Sequence, residues 1–432
     1  MTRGHLRQPA RRRLTSLFGG WVVVASAFAG CGSPILANPP AARHEPPPAA
    51  NPAARRADPV PIVFPRDDGP HERLTEWWYF TGHLVDAARH RFGFEFVVFR
   101  AERGDFPVTW ASHLALTDET RGRFSYAQRL EIGPQADRSP RLVSVQTSVP
   151  AGSSAGVPAG QPTGFAIAVL PGGGPPELPG NTAATPWQMS GGSGQGRLSA
   201  ALSPAEARGP SAGGSDFGLD LDLDETQPVL HDGDGWLDFN AAGGSYYYSR
   251  PRMPARGTLT LDGRAVPVTG QAWFDHQWGD FIAVGSGGWD WFAVNLADGT
   301  DLVLWLVRDG DGVYRLVYGT LRRPDRTVVY LPAEAFSVRA TEHWTSPHTG
   351  AVYPAGWRIE VPGEDLTIDL SPTVADQELD TRPSSGVVYW EGSQLVRASL
   401  GGRPLAGEAY VELTGYAPAL PSAIPSPAVS AP

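Results

Sequence analysis

Part of this 432-residue chain occurs twice, and that repeat constrains its fold more than any other feature. Trp77-x-Tyr79-Phe80-x-x-x-Leu84-x-Asp86 returns as Trp289-x-Trp291-Phe292-x-x-x-Leu296-x-Asp298. A second pair of blocks follows in the same order. Gly263-Arg264 … Gly270-Gln271-Ala272-Trp273-Phe274-Asp275 matches Gly402-Arg403 … Gly407-Glu408-Ala409-Tyr410-Val411-Glu412. Two ordered matches point to a duplicated structural unit. The units run over about 63–284 and 285–420, with a short disordered tail expected at 421–432.

Both units read as β-structure. Trp77 to Leu84 and Phe92 to Phe99 are dense in aromatic and β-branched residues, which favour strands. Asp262-Gly263 and Asp298-Gly299 lie between strand-like runs, a hairpin signal. No long stretch carries a helical period; a short helix is expected at most near Ser203–Arg208. Residues 134–215 are rich in Gly, Ser, Pro and Ala and read as an insertion made largely of long loops. Many antiparallel strands without helices suggest sandwiches or closed barrels, and closure removes exposed edges.

The N-terminus reads as an export signal. Arg3, Arg7 and Arg11 to Arg13 precede a mostly apolar run from Leu14 to Phe28, too short and glycine-broken to span a membrane well. The run ends Phe28-Ala29-Gly30-Cys31, which resembles a bacterial lipoprotein signal with Cys31 as the lipidated first residue; an ordinary cleaved signal is the alternative. Arg11-Arg12-Arg13-Leu14 also permits twin-arginine export. The expected location is the periplasm or cell envelope, with a lipid anchor in the membrane. Residues 32–62 are rich in Pro and Ala and form a semi-rigid tether. Cys31 is the single cysteine, which excludes an intrachain disulfide and a cysteine-based metal site. A net charge of −10 without a basic stripe argues against nucleic-acid binding.

Seven blocks together resemble the AttH and hydroxyneurosporene-synthase family, also called carotenoid 1,2-hydratase-like. They are Glu76 to Leu84, His113 to Asp118, Tyr246 to Arg250, Gly270 to Gly279, Trp289 to Phe292, Tyr389 to Gly392 and Gly407 to Tyr416. The resemblance implies an all-β fold of two tandem lipocalin-like antiparallel barrels packed together. It leaves the reaction open. Family outcomes include hydration of a terminal alkene in acyclic carotenoids and, in fungal relatives, pericyclic ring closure or hydration of a prenyl group. Other bacterial members are exported proteins considered alongside envelope ABC transporters. A carotenoid-hydrating member is expected to place an acid on the strand after the Trp-Asp-Trp-Phe block. Here Leu302 to Val307 contains none, which points away from a true carotenoid hydratase.

Alkene hydration needs a proton donor, a stabilised carbocation and a positioned water, and requires no metal or organic cofactor. On a strand, Phe274, His276 and Trp278 share one face, and Asp275 and Gln277 the other. His276 is then the acid/base candidate with Trp278 as a wall, or Asp275 if the strand bulges. Alternatively, the block is a barrel-closing strand with a polar tie. Glu76 shares a face with Trp78 and reads as an acid or as a charged rim residue beside Arg73. His113, in an apolar strand, is a pocket or a core histidine. Tyr246 and Tyr248, Trp78, Trp291 and Glu391 complete the expected ligand-binding set. Trp77 and Trp289 are expected in the core. His343 and His348, spaced outside any helix, make no metal site, and none is expected elsewhere. Two functions remain: a cofactor-free hydratase or isomerase acting on an apolar, isoprenoid-like molecule, or a lipid-anchored carrier serving an envelope transporter.

Overall fold

The computed structural model describes residues 58–142, 160–171, 185–210, 216–239, 243–281 and 287–418. The signal, Cys31 and most of the tether lie outside the described residues. Among those described, no helix is long and apolar enough to cross a membrane.

The first sheet contains β1 (Thr75–Asp86), β2 (Arg91–Arg103), β3 (Phe106–Asp118), β4 (Arg123–Ile132), β5 (Phe165–Val169), β6 (Trp187–Gly191), β7 (Gln195–Leu202), β8 (Phe217–Asp224), β9 (Val229–Leu230), β10 (Trp236–Asp238), β11 (Gly244–Leu261) and β12 (Arg264–Gly279). The second contains β13 (Gly288–Leu296), β14 (Asp301–Arg308), β15 (Tyr314–Arg322), β16 (Val328–Pro332), β17 (Ser337–Thr345), β18 (Val352–Val361), β19 (Leu366–Pro372), β20 (Glu378–Asp380), β21 (Val388–Leu400) and β22 (Arg403–Thr414). Both are antiparallel and share one wiring. The first strand pairs with the second on one side and with the last on the other, so β1 lies between β2 and β12 and β13 between β14 and β22. The duplicated sequence blocks fall on these equivalent strands. The fold is two tandem lipocalin-like units, each sheet curled around its own core.

Alternation decides which side chains meet. From β1, Trp78, Phe80 and Leu84 enter the first core, where Phe94, Phe96, Phe274 and Trp278 join them. Phe292, Val294, Leu304 and Val411 do the same in the second. The opposite faces are also buried: Tyr79, Val97, Phe99 and Trp273 pack on Trp291, Val303, Trp305 and Tyr410 between the sheets. Antiparallel strands usually leave one face to water. Here β2 and β14 do not, which is why Leu302 to Val307 reads as a continuous apolar run and Phe94 to Phe99 as one broken only by Glu95.

Asp262 and Gly263 both have positive φ (50° and 72°), the twist a two-residue hairpin needs between β11 and β12. Ser203–Arg208 forms turns rather than a helix. The Gly/Pro-rich stretch contributes β5, β6 and β7. In β7, Gly196, Leu198, Ala200 and Leu202 alternate inward, but small residues dilute the apolar signal.

Gly93 lets the two sheets approach closely. A Cβ there would lie 2.7 Å from the Tyr410 hydroxyl and 2.8 Å from Ser393 Cβ. Gly93→Val is therefore expected to destabilise the fold by about 1–3 kcal/mol in guanidinium unfolding. Exposed Gly363, with open space around its Cβ position, serves as the control: Gly363→Val is expected to stay within about 0.5 kcal/mol of the parent.

Candidate functional site

Burying both faces of these strands forces polar side chains into the seam between the sheets. Asp275 and Gln277 point there from β12, Glu95 from β2, Glu391 from β21 and Glu412 from β22. Cross-strand pairing sets Glu391 directly opposite Glu412 and Asp275 opposite Tyr79. Glu95, Glu391 and Asp275 are buried and Glu412 is half-buried.

A cavity of about 30 Å³ lies among them. Trp77, Trp289, Trp291, Trp305 and Phe99 wall it, and Glu95, Glu412, Asp275, Tyr79, Tyr247 and Gln277 supply its polar atoms. At that size it accommodates water rather than a ligand.

Each acid has a distinct setting. Asp275 accepts hydrogen bonds from Trp273 Nε1 (2.7 Å), Ser249 Oγ and the Tyr247 hydroxyl, which in turn accepts from Trp291 Nε1 (3.0 Å). Loss of solvation outweighs these donors and pushes its pKa up to about 7. Glu95 accepts from the Tyr389 hydroxyl (2.8 Å), and its Oε2 has no partner among the described residues. Burial, with a further push from Glu412, raises its pKa to about 8. Glu391 accepts from the Tyr79 hydroxyl (2.7 Å), leaves Oε2 unpaired and is driven well above the carboxylate range by burial and by Glu95 and Glu412. Burial brings Glu412 to about 7. Among the described residues no cation stands beside them, and carboxyl groups facing one another in this way cannot all ionise at neutral pH. At least part of the seam's carboxyl set therefore stays protonated, Glu95 and Glu391 foremost.

Two hydrogen-bonded chains lead away from the acids, each through a histidine that burial keeps neutral. Beyond Glu95, Tyr389 meets His113 Nδ1 (2.7 Å), and His113 Nε2 meets Ser384 Oγ (3.1 Å). Beyond Asp275, Ser249 meets His231 Nε2 (2.8 Å), and His231 Nδ1 meets Thr320 Oγ1 (2.9 Å). Burial pushes both imidazoles down to about 3.

The sequence-derived candidates divide between two places. Asp275 and Trp291 line the cavity, Glu391 adjoins it through Tyr79, and His113 stands behind Glu95. Trp77 and Trp289, expected in the core, are half-buried walls of the cavity. His276, Glu76, Trp78, Trp278, Tyr246 and Tyr248 face the other way, into the mouth of the first barrel. The strand shows no shift in register at Asp275–His276, so the two side chains part to opposite faces. Glu76 is fully buried rather than a rim residue. Although burial opposes its charge, His71 and His276 hold its pKa down to about 2, so it carries no proton to give. Arg73 pairs instead with Asp58 and Asp280.

Sequence reasoning passed over Glu95, Glu412, Tyr79, Tyr389, Trp305 and His231, and of the tyrosines 246–248 it is Tyr247 that reaches the cavity. Glu412 was within reach, since the repeat aligns it with Asp275. Glu95 was a lone acid inside Phe92 to Phe99, where only a two-sided burial makes it unusual.

An AttH-like family model matches residues 55–152 and 177–416. No curated protein sequence matches the chain. Among solved structures, an AttH-type protein from Nitrosomonas europaea is similar at 27% identity and a TM-score of 0.63, covering 83% of this chain and 98% of its own. Kievitone hydratase from Nectria haematococca is similar at 15% identity and a TM-score of 0.56, covering 82% and 93%. At that identity the likeness concerns the fold. The residues that build the seam, from Trp77 on β1 to Glu412 on β22, fall within the matched segments, and the chain belongs to the AttH-like family.

Proposed function

We propose that the seam between the barrels is an acid–base catalytic site that adds water across an alkene of an apolar, isoprenoid-like molecule. One observation carries this: buried carboxyl groups, with no cation beside them among the described residues and with pKa values that burial raises, face an aromatic-walled cavity. Burying unpaired acids destabilises a fold, so their retention suits proton transfer better than packing. The structural likeness to a hydratase agrees with it.

In this scheme Glu95, protonated at neutral pH and with Oε2 unpaired, gives its proton to the less substituted alkene carbon. The π bond supplies the electron pair for the new C–H bond, leaving a tertiary carbocation. The faces of the tryptophan walls stabilise that cation. In the form with Glu412 ionised, near its pKa of about 7, a water then forms the C–O bond and Glu412, from the opposite sheet, takes the water's proton. Return of a proton to Glu95 closes the cycle with no net gain or loss beyond one water. A substrate must displace the tryptophan walls to enter, because the cavity itself is only water-sized.

A carrier needs volume and has no use for protonated acids, so the cavity favours catalysis. The signal ending at Cys31 supports work outside the cytoplasm on a lipid-anchored chain. A transporter partner has no support beyond the family resemblance.

The test is incubation of the mature chain with geraniol or a prenylated phenol in ¹⁸O-water, with mass spectrometry of the products. The expected result is a tertiary alcohol carrying ¹⁸O, with Glu95→Gln slower by roughly 10²–10⁴-fold. No labelled alcohol from any prenyl probe, or a fully active Glu95→Gln variant, would contradict the assignment.

The raised acids also predict a pH dependence of stability. Unfolding returns Glu95 and Glu412 to near 4.5, so between about pH 5 and pH 8 the folded state holds more protons than the unfolded state. Stability should fall as pH rises through that window. The double variant Glu95→Gln/Glu412→Gln should show a flatter decline and a higher Tm than the parent at pH 9, read by scanning calorimetry.

A further inference from the structure

The mouth of the first barrel is closed by residues 58–74, which cross it before β1 begins. His71, on that strap, points its Nδ1 at Glu76 Oε1 (2.7 Å). His276 Nε2, from β12, addresses the same oxygen at 3.0 Å. One ligand atom from each of the three residues lies within 4.8 Å of the others. The geometry points to a divalent transition-metal site of the zinc class at His71, Glu76 and His276.

Two imidazoles and a carboxylate are the donor set that borderline metals prefer, and three protein ligands leave one coordination position open. Zinc bonds of about 2.0–2.2 Å separate tetrahedral ligand atoms by about 3.3 Å. The spacings of 2.7 and 3.0 Å to Glu76 therefore need to open by about 0.3–0.6 Å, and the two imidazole nitrogens, which lie within 4.8 Å of each other, need to settle at the same separation. Glu76 and His276 are fully buried on paired strands, where Trp78 stands opposite His276 and fixes the register.

Two further features suit a metal. Asp67 Oδ1 lies 3.5 Å from His71 Nε2, the ring nitrogen that would face away from the ion. A carboxylate in that place orients a ligating imidazole and strengthens its donor atom. Asp67 is itself held by the Val63 N–H at 2.7 Å. His276 Nδ1, buried, has no partner among the described residues. Nε2 now donates to the Glu76 carboxylate, but the free Nδ1 lets the ring carry its proton there instead and present the Nε2 lone pair to a metal.

The path to the ion is through the strap. His71 keeps 19% of its side chain exposed, and its ring stacks on Trp278 at 4.1 Å. Surface depressions around Arg73, Tyr246 and Trp278 reach it. Bound metal would join the strap to β1 and β12 at one point. The site faces the barrel interior, away from Glu95 and Glu412, and stands apart from the proposed reaction.

The test uses the untagged mature chain, stripped with a chelator and titrated with Co²⁺ and then Zn²⁺. One Co²⁺ per chain is expected, with the visible absorption of four-coordinate cobalt, displaced by one Zn²⁺. His71→Ala should abolish this signal, and Asp67→Asn should weaken Zn²⁺ binding about 10–100-fold. Calorimetric melts of the stripped variants check that they fold. Should His71→Ala unfold, Asp67→Asn alone decides the question. Absence of a four-coordinate cobalt spectrum in the parent, or metal uptake undiminished in these variants, overturns the proposal.

Discussion

Strands β1 and β2 of the first sheet and β13 and β14 of the second, with the C-terminal parts of β12 and β22, are buried on both faces, and the rest of the molecule follows from that. One face of each strand fills a barrel. The other meets its duplicate, with Tyr79, Phe99 and Trp273 against Trp291, Trp305 and Tyr410. Most antiparallel sheets resolve polarity by turning alternate residues to water. These strands have no such outlet, so each polar residue on the seam face must find a partner inside the protein.

Most do. Gln277 on β12 donates to Ser245, and Tyr79 on β1 donates to Glu391. The acids do so less completely: Glu95 and Glu391 each leave an oxygen unpaired among the described residues. The mouth of the first barrel solves the same problem differently. There His71 and His276 surround Glu76 and keep it ionised, whereas among the described residues no cation stands beside Glu95 or Glu412. One fold thus keeps one buried carboxyl charged and others neutral, through the identity of their neighbours alone.

The fold was legible because duplication, alternation and Asp-Gly turns act locally. Trp77 and Trp289 announce equivalent strands, and Asp262-Gly263 announces a hairpin, without knowledge of any distant contact. The site was legible only in part. Alternation correctly separated Asp275 from His276, but the sequence could not say which face met a barrel core and which met the other barrel. His276 and Trp278 drew attention as the polar-aromatic side, yet that side fills the first barrel. Glu95 gave no local sign, because its isolation depends on Tyr389, 294 residues away in the chain, and on the second barrel covering it. Three strands, β5 to β7, hid in a stretch whose small residues alternate without apolar contrast.

The central claim is that the seam holds neutral carboxylic acids at physiological pH. Infrared difference spectroscopy of the parent against Glu95→Gln at pH 7, in water and in D₂O, tests it most directly. The account predicts a protonated-carboxyl C=O band that shifts on deuteration and loses intensity in the variant. A parent spectrum without that band at pH 7, with only carboxylate stretches changing in Glu95→Gln, would contradict it.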